Sequence, residues 1–260
     1  MTRLLSLWPK RWTREQRSSA TVVTASALLV LLLALASRIL ALMPEPIGPS
    51  AADFAAGTRI TVQLTVISGL AGIAVGVLAA VAKLSRFLPV RLVADFYIWS
   101  VRGTPLLVQV LFVYFALPEI LPVQLSDFSS AALALTLNVG AYNAEAIRAG
   151  IQAVPRGQTE ASRSLGLSPL QTFRDVVFPQ AFKISLPPLV NNIVALLKDS
   201  SLAYVIGVAE LSNIGNRVKT ATFQPVPVFI ATAGIYLVLT TVLTQISDAI
   251  EMRLDVEQRH

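Results

Sequence analysis

The sequence contains no cysteine and a single histidine, His260 at its C-terminal end. The first absence excludes disulfides, thiolate metal sites and thiol nucleophiles, and the second leaves no histidine cluster for metal binding or acid–base catalysis. Charge is also scarce, at 14% of 260 residues, where soluble domains carry about a quarter. No G-x-x-x-x-G-K-[ST] loop occurs to cradle phosphates, so the chain has no recognisable nucleotide site of its own. Apolar residues are abundant instead: 54% of the chain is hydrophobic and its mean hydropathy is +0.66. This composition indicates an all-α polytopic membrane protein. The net charge of +6 is compatible with nucleic acid or anionic lipid. Keeping Lys and Arg in cytoplasmic loops accounts for the same excess, so membrane lipid is an expected partner and nucleic acid is not.

Crossing the bilayer core takes about 20 mostly apolar helical residues. Six stretches qualify: 21–43, 58–82, 95–117, 129–150, 184–207 and 226–248. The first could be a signal peptide, but its apolar run is long and Ala41-Leu42-Met43-Pro44 is a poor cleavage site. Arg3, Lys10, Arg11, Arg14 and Arg17 precede that span and predict a cytoplasmic N-terminal tail over 1–20. The loops with no Lys or Arg, 44–57 and 118–128, should face outward. Lys83, Arg86 and Arg91 should face inward, with Arg156, Arg163, Arg174 and Lys183, and with the C-terminal tail 251–260, which holds Arg253 and Arg259. The loop 208–225 disagrees, because it should lie outside yet contains Arg217 and Lys219. Gly72, Gly76 and Ala80 recur every fourth residue and predict a close helix contact.

The stretch 154–183 is a polar, motif-dense interruption between apolar segments. Pro155 suits the start of a new helix, residues 158–165 are helix-compatible, and Gly166 stands where a left-handed C-terminal cap belongs. Ser168, Pro169 and Gln171 form a capping-box pattern that opens a second helix, which leads through Phe173, Val176 and Val177 to Pro179. The result is a short helix between two sharp turns. Ala161 and Ser162 would keep one face small enough for a partner groove, and Glu160 and Arg163 would supply polar contacts. Capping alone points to an ordinary connecting loop, since such signals are common.

Ionisable residues at membrane depth are costly and mark functional positions by default. Four such residues are Arg102, Glu145, Lys198 and Asp199. Asn138, Tyr142 and Glu145 share one helical face, as do Asn191 and Lys198. Gly103 and Pro105 around Thr104 should kink or open the third span and free backbone polar groups. Glu145 would suit an ammonium and Arg102 or Lys198 a carboxylate. The alternative is that these charges pair with one another, or with Arg148, and only hold the bundle together.

Taken together, the motifs are R-G-T-P-L-L-V-Q at 102–109, L-A-L-T-L-N at 133–138, A-Y-N-A-E at 141–145 and A-V-P-R-G-Q at 153–158. They continue as E-A-S-(x)3-G at 160–166, F-P-Q-A at 178–181, L-P-P-L-V-N at 186–191 and K-D-S-S-L at 198–202. In this order they resemble the permease subunits of polar amino acid importers of the ATP-binding-cassette (ABC) class, in which an E-A-A loop docks into the ATPase. Ser162 stands for the usual second Ala, and Val177-Phe178-Pro179 for the usual I-L-P. The resemblance covers about 57–248 and implies a five-helix transport domain over 57–250, with 21–56 as an additional helix and external loop. It implies a coupling loop over 154–183, with residues 158–167 seated in the ATPase. It also implies no catalysis in this chain, with ATP and Mg used by two partner ATPase copies. The other implied partners are a second permease, identical or paralogous, and an extracytoplasmic amino acid-binding protein at the bacterial cytoplasmic membrane. Two rivals to this reading are an ion-gradient-coupled transporter with Glu145 and Asp199 as ion sites, and a scaffold subunit with no pathway.

Overall fold

Local sequence sets most helix boundaries of this protein, whose computed structural model describes residues 12–257. The expected basic residues Arg3, Lys10, Arg11 and Arg259, with His260, lie outside the described residues, as do the side chains of Arg14 and Arg253. Helix α1 (Arg14–Leu40) starts at Thr13, whose Oγ1 accepts from the Gln16 N–H while Gln16 Oε1 accepts from the Thr13 N–H, a reciprocal cap. Helices α2 (Ala51–Lys83) and α3 (Leu88–Gly103) follow, then α4 (Leu106–Ile120). Next come α5 (Asp127–Ala153), capped by Ser126, and the short α6 (Arg156–Ser164). The chain finishes with α7 (Pro169–Ile206), α8 (Leu211–Thr222) and α9 (Pro225–Glu257).

By length and composition α1, α2, α7 and α9 can each cross a membrane, and α3 with α4 qualifies as one bent pair. The fourth expected span, inside α5, differs. It is long enough at 27 residues, but Asn138, Tyr142, Asn143, Glu145 and Arg148 make it more polar. It is enclosed by its neighbours instead of resting on lipid alone, with Ala131, Leu135, Ala141, Asn143 and Ala144 fully buried.

The small-residue stripe on α2 is what lets α5 approach. A Cβ on Gly76 would sit 2.6 Å from Asn143 Cβ and 3.2 Å from the Gly140 carbonyl oxygen, so any larger residue would force the helices apart. Ala80 continues this seam into a cluster with Ala144 and Ile98. The pairing is parallel: Ser68 donates to the Ala132 carbonyl near one end, and Lys83 reaches Glu145 near the other. Helix α7 runs antiparallel to α5, with Asn192 Nδ2 donating to Asn143 Oδ1 (2.9 Å). Helix α1 runs antiparallel to α9, where Ser18 Oγ donates to the Ala249 carbonyl. Connections 84–87 and 154–168 therefore share one end of the bundle, and 41–50, 121–126 and 207–224 share the other.

The structure sharpens one expectation, corrects another and adds a feature. The third span breaks where Gly103 and Pro105 predict, and fully: α3 and α4 meet at 113°, because Pro105 forces Thr104 into extended backbone (φ −118°, ψ 148°). The expected loop 208–225 contains the amphipathic helix α8, with Leu211, Ile214 and Val218 buried against α2 and α9. Widened π turns also occur at 112–116 and 172–177. Each ends two residues before a proline, Pro118 or Pro179, whose ring excludes the carbonyl four residues back and whose nitrogen has no proton for it.

Candidate functional site

At the end of the bundle that holds 154–168, α6 is the only helix that projects as a separate short rod among the described residues. Pro155 precedes it, and Gly166 stops it at φ +82°, a conformation that disfavours side chains with a Cβ. The Leu167 N–H donates to the Ser162 carbonyl (3.2 Å) and the Gly166 N–H to the Arg163 carbonyl (2.9 Å), closing the last turn. Beyond the turn, Ser168 Oγ accepts from the Gln171 N–H and Gln171 Oε1 from the Ser168 N–H, the expected capping box.

The two small residues of the motif part company. Ala161 is exposed with Glu160 and Arg163, but Ser162 is 4% exposed and faces inward. Its hydroxyl meets the Thr159 carbonyl (2.9 Å) and Thr172 Oγ1 (3.2 Å). Ser162 is thus a brace between α6 and α7 and not part of a small outer face. The outer surface has apolar positions that the sequence reading passed over: Leu165 is 83% and Leu170 74% exposed on an otherwise polar loop. Pro179 is exposed just after the π turn.

A second feature lies inside the bundle, where α3 breaks. A polar recess of about 340 Å³ is lined by Thr104, Asn138, Tyr142, Asn192 and Asp199 among apolar neighbours. Gln109 organises its wall. Its Nε2 donates to the Val101 carbonyl (2.6 Å) and the Thr104 carbonyl (3.0 Å), both freed by the helix break, and its Oε1 accepts from Asn138 (2.9 Å). Asp199 is partly buried and has no salt bridge among the described residues. Asn191 and Lys198 do share a face, as expected, but it is not this one. Asn191 is exposed, and Lys198 lines a neighbouring recess with Ser201, Ser212 and Tyr236. The residue that enters the polar recess is Asn192, one position along.

Glu145 is placed differently from the expectation of substrate contact. Its carboxylate is held by Lys83 (2.7 Å) and Arg148 (2.6 Å), with Arg102 at 3.9 Å. Lys83 also reaches Asp95 (3.2 Å). Lys83 is the last residue of α2, so this cluster ties α2, α3 and α5 near the end that carries α6. The pairing alternative therefore holds for Glu145. Arg102 is half-exposed and stacks its guanidinium on the Tyr142 ring at 5.3 Å, between the cluster and the recess. Sequence spacing gave no sign of Lys83 as the partner, since it lies 62 residues from Glu145.

A family model described as the inner membrane component of binding-protein-dependent transport systems matches residues 72–256. An arginine transport system permease protein of Bacillus subtilis, ArtQ, is 39% identical over 198 residues, covering 76% of this chain and 90% of that protein. The glutamine transport system permease protein GlnP of Escherichia coli K12 is 36% identical over 201 residues, covering 77% and 92%. Among solved structures, a crystal structure of an amino acid ABC transporter with histidines superposes with a TM-score of 0.75 at 38% identity, covering 79% of this chain and 95% of that one. The MetNI methionine ABC transporter shares the fold, with a TM-score of 0.66 at 20% identity.

Proposed function

The chain belongs to the family of inner membrane components of binding-protein-dependent transport systems, and from that premise we propose that it is the permease subunit of an ABC importer for polar amino acids. The observation that carries this reading is α6: a short exposed helix, bounded by Pro155 and Gly166, braced through Ser162 and carrying unpaired apolar residues at Leu165 and near it Leu170. Such a helix suits a groove in a soluble partner. With no phosphate loop in the chain, that partner is an ATPase that binds ATP and Mg, present in two copies. The end bearing α6 is then cytoplasmic, as are both termini, and the membrane is the bacterial cytoplasmic membrane. Helix α1 is an addition to a five-helix transport core.

The polar recess supports a pathway for a zwitterion. Asp199 offers a carboxylate to an ammonium, Asn138 and Asn192 offer amides, and Arg102 and Lys198 stand on either side for a carboxylate. A recess this polar, open on the flank of one chain, needs a cover at membrane depth. A second permease, the same chain or a paralogue, supplies that cover, and an extracytoplasmic binding protein delivers the substrate. The ion-coupled rival loses its main ion site, because Lys83 and Arg148 already neutralise Glu145.

Purification from the native membrane in mild detergent, with identification of co-purifying proteins, tests this reading. An ATPase and a second permease are expected. A lone chain that retained uptake driven by membrane potential would defeat it.

A further inference from the structure

Helix α8 lies at the end of the bundle opposite α6 and carries Arg217 and Lys219, while the neighbouring loops 41–50 and 121–126 have no Lys or Arg. A cation on the outer side of a cytoplasmic-membrane protein runs against the usual bias, and no carboxylate of the described residues pairs with these two. Arg217 is exposed, and Lys219 meets only the Asn216 side-chain oxygen (2.8 Å) and the Phe229 ring (6.0 Å). One turn on, Phe223 ends the helix at φ +56° and is 86% exposed. An aromatic residue in the left-handed region is strained, and here its ring stands on the surface, not in the core.

The mount beneath is rigid. The buried Glu210 carboxylate accepts from the Ser212 and Asn213 N–H groups (2.8 and 2.7 Å), fixing the start of α8. Tyr236 of α9 donates to the same carboxylate (2.9 Å), and Thr61 of α2 accepts from the Leu211 N–H (3.1 Å). Gly215 packs directly on Thr232. The helix cannot tilt without breaking contacts to both α2 and α9. A fixed exposed aromatic beside two cations that no carboxylate neutralises has the make-up of a protein-binding patch for an acidic surface.

We propose that Arg217, Lys219 and Phe223 form the docking surface for an acidic face of the extracytoplasmic binding protein. This rests on the importer reading, whose family is defined by dependence on such a protein. The cations would steer and orient the encounter, while Phe223 seats in a pocket of the partner.

The test uses the whole complex, permease with its ATPase, in nanodiscs, with the binding protein of its own transport system added at increasing concentration. For Arg217→Glu with Lys219→Glu, the concentration giving half-maximal stimulation of ATP hydrolysis should rise about tenfold or more at low salt, and its salt dependence should flatten. Basal hydrolysis should not change, and Phe223→Ala should raise the same concentration several-fold. A photo-crosslinking residue in place of Phe223 should capture the binding protein. Unchanged stimulation in the charge-reversed variant overturns the assignment, as does crosslinking to lipid alone, which would make α8 a membrane-surface anchor. If wild-type hydrolysis itself ignores the binding protein, the importer reading fails and the docking surface with it.

Discussion

Ser162 Oγ lies 3.2 Å from Thr172 Oγ1, so a buried contact between two hydroxyls joins α6 to the start of α7 across the turn at Gly166. Ser162→Ala removes the hydroxyl's contacts to Thr159 and Thr172 and little packing, and should cost about 1 kcal/mol. Ser162→Leu must displace α6 and should cost about 1–3 kcal/mol locally. Membrane insertion of both variants should match wild type. ATP-driven uptake in vesicles should survive the alanine and fall severalfold or more with the leucine, and equal uptake by both would remove the bracing role.

Gly166 gives a second, independent handle on the same helix. A β-branched residue at φ +82° is strained by about 1–2 kcal/mol, so Gly166→Val should loosen the end of α6 without touching its exposed face. Glu160→Lys should do the opposite, leaving the fold intact and changing only a surface charge. Both should reduce recovery of the ATPase with the tagged permease, and only Gly166→Val should also increase proteolysis within 156–170.

Glu145 neutralises Lys83 and Arg148 near the end of the bundle. Glu145→Ala leaves those cations facing one another and should destabilise the protein by about 1–3 kcal/mol, below the range for a fully buried pair because the cluster is partly hydrated. The readout is the melting temperature in detergent. Removing one of the stranded cations, with Lys83→Met in the Glu145→Ala background, should recover part of the loss, whereas a pure substrate-contact role would leave the melting temperature of Glu145→Ala unchanged.

Burial holds the Glu210 carboxyl above the ordinary carboxylate range, although hydrogen bonds from Ser212, Asn213, Tyr236 and Thr61 act in the opposite direction. A carboxyl with a raised folded-state pKa binds its proton more tightly in the folded protein, so its contribution is present at low pH. That contribution is lost as pH rises from the unfolded-state pKa through the folded-state one. Melting temperature should therefore decline across the window just above the usual glutamate range, and Glu210→Gln should flatten that decline. A wild-type profile that rises through the window would contradict the direction.

What could be read from the chain alone was what depends on near neighbours. Gly166, Ser168 and Gln171 are set by capping within four residues, and the structure places them as their spacing requires. The break at Thr104 and Pro105 was legible too, but not its 113° angle, which depends on Gln109 catching two freed carbonyls. Helix α8 is also marked locally, because Leu211, Ile214 and Val218 recur at helical spacing. Other features had no local trace. Lys83 meets Glu145 only because α2 and α5 run parallel, and Asn192, not Asn191, faces the recess because of how α7 is rotated against α5.

That rotation is set lower down, at the wide turn 172–177 just ahead of Pro179. A π turn holds one more residue than an α turn, and one residue is about 100° of azimuth. Rewound as α, the same chain would bring Asn191 and Lys198 to the side where Asn192 and Asp199 now stand. The polarity of the cavity is thus encoded some twenty residues away, in the winding of a turn close to α6, and Pro179 acts as the stop that keeps the negative side inward.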